Sequence, residues 1–182
     1  QEIASFLGAS LDSEIIFMGS ASEANNSAIK GVFSTNQKRK HIITTTVEHP
    51  AVLELCQDLE KNGYEITYLE VDQDGNLNVK DLINAIRPDT AVVSIMHGNN
   101  ETGVLFPSET FSKVVKMTDP KIVFHTDATQ TVGKISIDLK NQLPYVDMLS
   151  FSGHKIYAPK GVGVLFCKKG TPCRAIIIGG HQ

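Results

Sequence analysis

Short apolar runs alternate along this chain with segments whose apolar positions repeat at helical spacing. Ile15-Ile16-Phe17-Met18 reads as the first strand. Ser22 to Phe33 follows as a helix, with Ala24, Ala28, Ile29 and Val32 on one face. His41 to Thr45 is the second strand. Ala51 to Lys61 carries Val52, Leu55 and Leu59 on one face and is stopped by Gly63, so it reads as a helix. Glu65 to Val71 is the third strand, and Asp72-Gln73-Asp74-Gly75-Asn76 is a turn by composition. Val79 to Ile86 is a short helix ended by Pro88. Ala91 to Met96 is the fourth strand, unbroken and apolar as a parallel strand covered on both faces should be. Ser108 to Met117 reads as helical. Lys121 to His125, Val146 to Phe151 and Val164 to Cys167 complete seven strands, and Ile176 to Ile178 is a candidate for one more.

Alternating strands and helices predict an α/β fold: a three-layer, mainly parallel, doubly wound seven-stranded sheet. In such sheets ligands bind beyond the carboxyl ends of the strands. Chemically capable residues do gather there. Gly19-Ser20-Ala21-Ser22 follows the first strand and Glu48-His49 the second. His97-Gly98-Asn99-Asn100-Glu101 follows the fourth, Asp127-Ala128-Thr129-Gln130 the fifth, and Ser152-Gly153-His154-Lys155 the sixth. Five loops on one edge point to one site.

Composition narrows the classes. At 182 residues the chain reads as one domain, 1–182. A formal charge of −3 leaves no basic footprint for nucleic acid. No apolar run approaches the length needed to span a bilayer. Gln1-Glu2-Ile3-Ala4 is no signal peptide and reads as helix, and Gly179-Gly180-His181-Gln182 ends as abruptly, so a piece of a longer chain is expected. Cys56, Cys167 and Cys173 are too few and too irregular for a disulfide framework or a zinc site. Cys56 and Cys167 read as core residues and Cys173 as a loop residue. This usage predicts a reducing compartment, the cytoplasm. The histidines show no metal-ligand spacing.

The loops suggest a chemistry. Ser22 lies at the start of a helix, where free amides and the dipole attract an anion; a plain helix cap is the alternative. No P-loop or dinucleotide glycine pattern occurs. Lys155 sits on a turn after a buried strand, with Ser152 and His154 beside it. It reads either as a solvated lysine or as a Schiff-base lysine holding pyridoxal phosphate (PLP). Asp127 at a strand end suits a carboxylate partner for a pyridine nitrogen, or else caps a turn. Gln130 suits a donor to the cofactor's phenolic oxygen. His49 suits a flat partner for a flat ring, or a helix-terminal histidine before Pro50. Asn99 and Asn100 read as loop residues.

Together these loops resemble the cysteine desulfurases, in the class V branch of fold-type I PLP enzymes. The resemblance covers nearly the whole chain and rests on Glu48-His49-Pro50-Ala51-Val52, Asn99-Asn100-Glu101-Thr102-Gly103, His125-Thr126-Asp127-Ala128-Thr129-Gln130 and Ser150 to Lys155. The first two are similar to the group that supplies sulfur for iron–sulfur clusters. The resemblance implies that Lys155 forms the imine with PLP and moves the Cα proton. It implies that His49 stacks on the ring and takes part in proton transfer. Asp127 would meet the ring nitrogen, Gln130 the phenolic oxygen, and Asn100 the cofactor and substrate. Ser22, Ser152 and His154 would meet the phosphate. It further implies strand order 3-2-4-5-6-7-1 with the seventh strand antiparallel. The chain departs from the family at Gly19-Ser20-Ala21-Ser22-Glu23, where Ser-Gly-Ala-Thr-Glu is usual, and at Ala158, where Gly is usual.

The implied reaction converts L-cysteine to L-alanine and leaves sulfur on an enzyme cysteine, for a sulfur-acceptor or iron–sulfur scaffold protein. The implied enzyme is a homodimer whose partner subunit shares the phosphate site. The catalytic cysteine, the arginine for the substrate carboxylate and the small C-terminal domain are expected beyond residue 182. The fragment alone is expected to be inactive. Selenocysteine lyase and class V aminotransferase are alternatives. A non-catalytic binding domain on the same fold is the alternative from another class, and the joint presence of Lys155, Asp127 and His49 weighs against it.

Overall fold

The computed structural model describes residues 1–35 and 38–179. Its elements in chain order are α1 (Glu2–Leu7), β1 (Ile15–Met18), α2 (Ala21–Phe33), β2 (His41–Thr45), α3 (Pro50–Lys61), β3 (Glu65–Leu69), α4 (Val79–Ala85), β4 (Thr90–Ser94), α5 (Ser108–Thr118), β5 (Val123–Asp127), β6 (Met148–Ser152) and β7 (Gly163–Cys167). Single turns of 3-10 helix cover Asp12–Glu14 and Gly153–Ile156. The seven strands form one sheet in the order β3-β2-β4-β5-β6-β7-β1. β7 runs antiparallel to both neighbours, and the other pairings are parallel. That is the order and direction the resemblance implied.

Neighbouring residues on each strand face opposite layers. Ile42, Val92, Val123, Met148 and Leu165 pack on α2 and α3 through Ala28, Ile29, Val52 and Leu55. Ile43, Val93, Phe124, Leu149 and Phe166 pack on the other side, where Leu82 of α4 and Phe111 and Val115 of α5 cover them. Burial on both faces explains why these strands read as unbroken apolar runs.

The structure differs from the apolar pattern at a few places. β5 continues to Asp127 and β6 to Ser152, beyond the apolar runs, because buried polar side chains extend them. Ile176–Ile178 form no strand; they are exposed, and the segment before them docks on α2 through Arg174 N–H to Gly31 O at 3.0 Å. Cys173 is half-buried against α2, with its Sγ 3.9 Å from Ser27 O. Cys167 closes β7 but is only half-buried.

His125 shows how a polar residue survives mid-sheet. Its Nδ1 lies 2.9 Å from Ser94 Oγ on β4, and its Nε2 lies 2.8 Å from Ser150 Oγ on β6. One neutral ring thus joins three strands, two residues before Asp127. Burial holds its pKa well below the ordinary value, and the Asp127 carboxylate opposes this only in part. The unfolded histidine takes a proton near pH ~6.5 and the folded one resists it, so this contribution to stability is present above that pH and is lost on acidification. His125→Asn is expected to be less stable at pH ~7, and its stability should fall less steeply than wild type between pH ~6.5 and ~4. Denaturant melts across that range check both.

Candidate active site

The strand ends open on a cleft of about 270 Å³. The eight residues given cofactor roles by the resemblance line it: Ser22 from α2, His49 from the β2–α3 turn, Asn100 after β4, Asp127 and Gln130 at and after β5, and Ser152, His154 and Lys155 at and after β6. None falls on the opposite edge.

The α2 end of the cleft is built by a reciprocal cap. Ser20 Oγ accepts from Glu23 N–H at 3.1 Å, and the Glu23 carboxylate accepts from Gly19 N–H at 2.6 Å. Ser20 is extended, at φ −165°, so this position does not need glycine and the Gly19-Ser20 order is accommodated. Among the described residues, the amides of Ala21 and Ser22 have no acceptor, next to the Ser22 hydroxyl. They form a donor set for an anion at a helix N-terminus. Gly163, the first residue of β7, lies directly against the Ser20 backbone, where a Cβ would collide with it. The side chain missing at 163 is what lets α2 start at the sheet edge.

Asp127 is 5% exposed. Its Oδ2 accepts from Asn25 Nδ2 of α2 at 2.7 Å, and its Oδ1 from Thr129 N–H at 2.9 Å. Both oxygens are therefore held by donors. His49 caps α3: its Nδ1 accepts from Ala51 N–H at 3.1 Å, which leaves Nε2 to carry the proton of the neutral ring. Ser152 Oγ and His154 Nδ1 are 2.7 Å apart. Gln130 Oε1 accepts from Lys134 Nζ at 3.0 Å, so its amide NH2 remains for a ligand. Lys155 sits in the 3-10 turn and is exposed. Its loop closes at the sheet edge, where Gly153 N–H donates to Val162 O at 2.9 Å. Tyr157, two residues on, takes the left-handed conformation at φ 65°; Ala158 does not, so the usual glycine there is not required.

An amine, a buried carboxylate, an anion cradle and two imidazoles now surround one space. The sequence matches the aminotransferase class-V family over residues 1–182. The chain belongs to the class-V aminotransferase family. Among curated members, it is 52% identical over 183 residues to the cysteine desulfurase IscS of Dictyoglomus turgidum. It is 47% identical over 182 residues to the cysteine desulfurase NifS of Azotobacter vinelandii. These alignments cover 100% of this chain and 45% and 44% of the relatives, so the chain spans less than half their length. Among solved structures, a NifS-like protein superposes with a TM-score of 0.93 at 40% identity, covering 98% of this chain and 48% of its own. A protein described as SspA in complex with cysteine superposes with a TM-score of 0.90 at 42% identity, covering 98% and 51%.

Class-V aminotransferase relatives imply PLP as cofactor. The residues present fit it. A phosphate suits the free α2 amides, and a pyridinium suits a buried carboxyl group whose two oxygens are already oriented by donors. Thr129 Oγ1, a cleft residue's hydroxyl, and Asn25 Oδ1, beside Asp127, are buried without partners.

Three residues of the site region went unassigned in the sequence. Asn25 sits in α2 within the run of apolar positions at helical spacing, a polar break that was the available signal. In the sequence, Glu48 reads only as a neighbour of His49. Asn99 organises the loop after β4: its Oδ1 accepts from Glu101 N–H and Thr102 N–H, each at 2.9 Å, and its Nδ2 donates to Val47 O at 3.0 Å.

Gly163→Ala is expected to push the Ser20 backbone away and to cost about 1–3 kcal/mol, as overpacking does. A urea melt measures the loss. A variant as stable as wild type would mean that α2 can shift without penalty.

Proposed function

We propose that this chain is the PLP-binding large domain of a cysteine desulfurase. The observation that carries the reading is the convergence of Lys155, Asp127, His49 and the α2 N-terminus in one cleft. The 52% identity to a protein named cysteine desulfurase IscS supports the substrate class. When bound, PLP supplies an electron sink that stabilises negative charge at the substrate Cα.

The chain's own residues have separable tasks in this reading. Lys155 Nζ would hold the cofactor covalently and would move the proton at the substrate Cα. Ser22, the Ala21 and Ser22 amides, Ser152 and His154 hold the phosphate. Asp127, oriented by Asn25 and the Thr129 amide, keeps the ring nitrogen protonated. Gln130 donates to the phenolic oxygen, and Asn100 borders cofactor and substrate. His49, with its tautomer set by the Ala51 amide, lies against the ring and exchanges a proton at Nε2.

No cysteine of this chain lines the cleft. Cys56 is buried, and burial together with the nearby Glu48 and Glu60 pushes its thiol up to about 12. Cys167 pairs with Met148 at the far end of β6, so it lies at the other edge of the sheet. Cys173 packs on Gly31, deep along α2. The acceptor thiol for the sulfur of L-cysteine therefore belongs to the rest of the protein. A homodimer, delivery to an acceptor protein of iron–sulfur assembly and a cytoplasmic location complete the proposal.

Borohydride reduction of the full-length protein with PLP, followed by peptide mapping, is expected to place the pyridoxyl group on Lys155. A label elsewhere, with Lys155 free, would sink the assignment. The 182-residue chain alone, with PLP and a thiol, is expected to release no more sulfide from L-cysteine than its Lys155→Ala control. Release clearly above that control would mean that a cysteine of this chain serves as acceptor.

A further inference from the structure

Glu48 has no part in the roles assigned above, yet its side chain is among the most enclosed polar groups near the cleft, at 3% exposure. We infer that Glu48 is a positioning residue, a buried uncharged carboxyl group that clamps the His49 turn to the end of β4. The inference deepens the PLP reading and depends on it only for the identity of the ligand.

The geometry is asymmetric. Oε1 accepts two hydrogen bonds, from Met96 N–H at 2.8 Å and from Thr45 Oγ1 at 3.0 Å. Oε2 is buried with no partner. An anion there would leave half its charge without a donor, which is costly; a carboxylic acid puts its proton on that oxygen instead. Burial is the main cause that pushes this acid up to about 8, and the Asp127 charge adds to it. The two hydrogen bonds to Oε1 oppose the shift and are outweighed. Among the described residues, the ionisable groups that act on Glu48 are Asp127 at the end of β5 and the Cys56 thiol of α3. Neither offers a positive charge.

The clamp runs in both directions. Glu48 takes the Met96 amide, while Asn99 gives its own amide to Val47 O at 3.0 Å. One partner segment carries His49 and the other carries Asn100, so the two bonds set the spacing of two cleft walls. An ionised Glu48 would stand as a second buried negative charge near Asp127 and strain that spacing.

The test uses full-length wild type, Glu48→Gln and Glu48→Ala. Glutamine keeps the acceptor oxygen and mimics the protonated acid; alanine removes the clamp. Melting temperatures are taken without cofactor from about pH 5 to about pH 9. The unfolded acid loses its proton near 4.5 and the folded one near 8, so folding holds the extra proton between those values. Wild-type stability is therefore expected to fall relative to Glu48→Gln as pH rises through that window, and the gap should then level off. A gap that is constant with pH overturns the buried acid. At pH ~7, PLP titration by absorbance is expected to find Glu48→Gln close to wild type and Glu48→Ala about tenfold weaker, the size of roughly one lost hydrogen bond. Glu48→Ala binding as wild type does would overturn the clamp. Wild type that takes up no PLP would count against the cofactor reading, and the melts would still decide the Glu48 proton.

Discussion

A carboxylate enclosed at the end of a central strand has to be met by donors, and the cleft is arranged around how Asp127 meets its own. One donor is the amide of its own turn. The other is Asn25, reached across the sheet from α2 at 2.7 Å. Placing an asparagine on the buried face of a helix is unfavourable unless its polar atoms are used. Here the bond fixes how α2 lies on β5, and so brings the helix N-terminus to the edge where the parallel strands finish. Close approach at Gly163 completes the seat. The anion cradle and the buried acid are therefore two ends of one packing arrangement.

Most of the remaining groups are also oriented before any ligand arrives. The Ala51 amide selects the His49 tautomer, Ser152 holds the His154 ring, and Lys134 engages one end of the Gln130 amide. Such preorganisation matters because donors that are already aimed need no rearrangement when charge develops. Lys155 differs: it is exposed and tied only through its loop.

Much of this was legible from the sequence, because the fold writes its edge in a regular way. Apolar runs buried on both faces gave the strands, and the residues following them were the cleft. What stayed hidden were side chains whose partners lie far away in the chain. Asn25 looks like an interruption of an apolar stripe until Asp127, 102 positions later, is beside it. Glu48 looks like an ordinary loop acid until Met96 covers it. Strand ends differ for another reason: Asp127 and Ser152 are polar, yet the backbone ladder runs on to them, with Asp127 beside Ser150 and Ser152 beside Gly163. Ile176–Ile178 erred the other way, since an apolar run becomes a strand only where an open edge can pair with it.

The reversal of β7 has a kinetic consequence. Because β7 starts where β6 ends, the segment carrying Lys155 leaves the cleft edge and returns to it, closed by the Gly153–Val162 hydrogen bond. The amine is thus on a short leash. An amine held this way stays within reach of whatever occupies the cleft, and its approach is a first-order event governed by the loop. Its effective concentration at the cleft does not depend on how much protein is present.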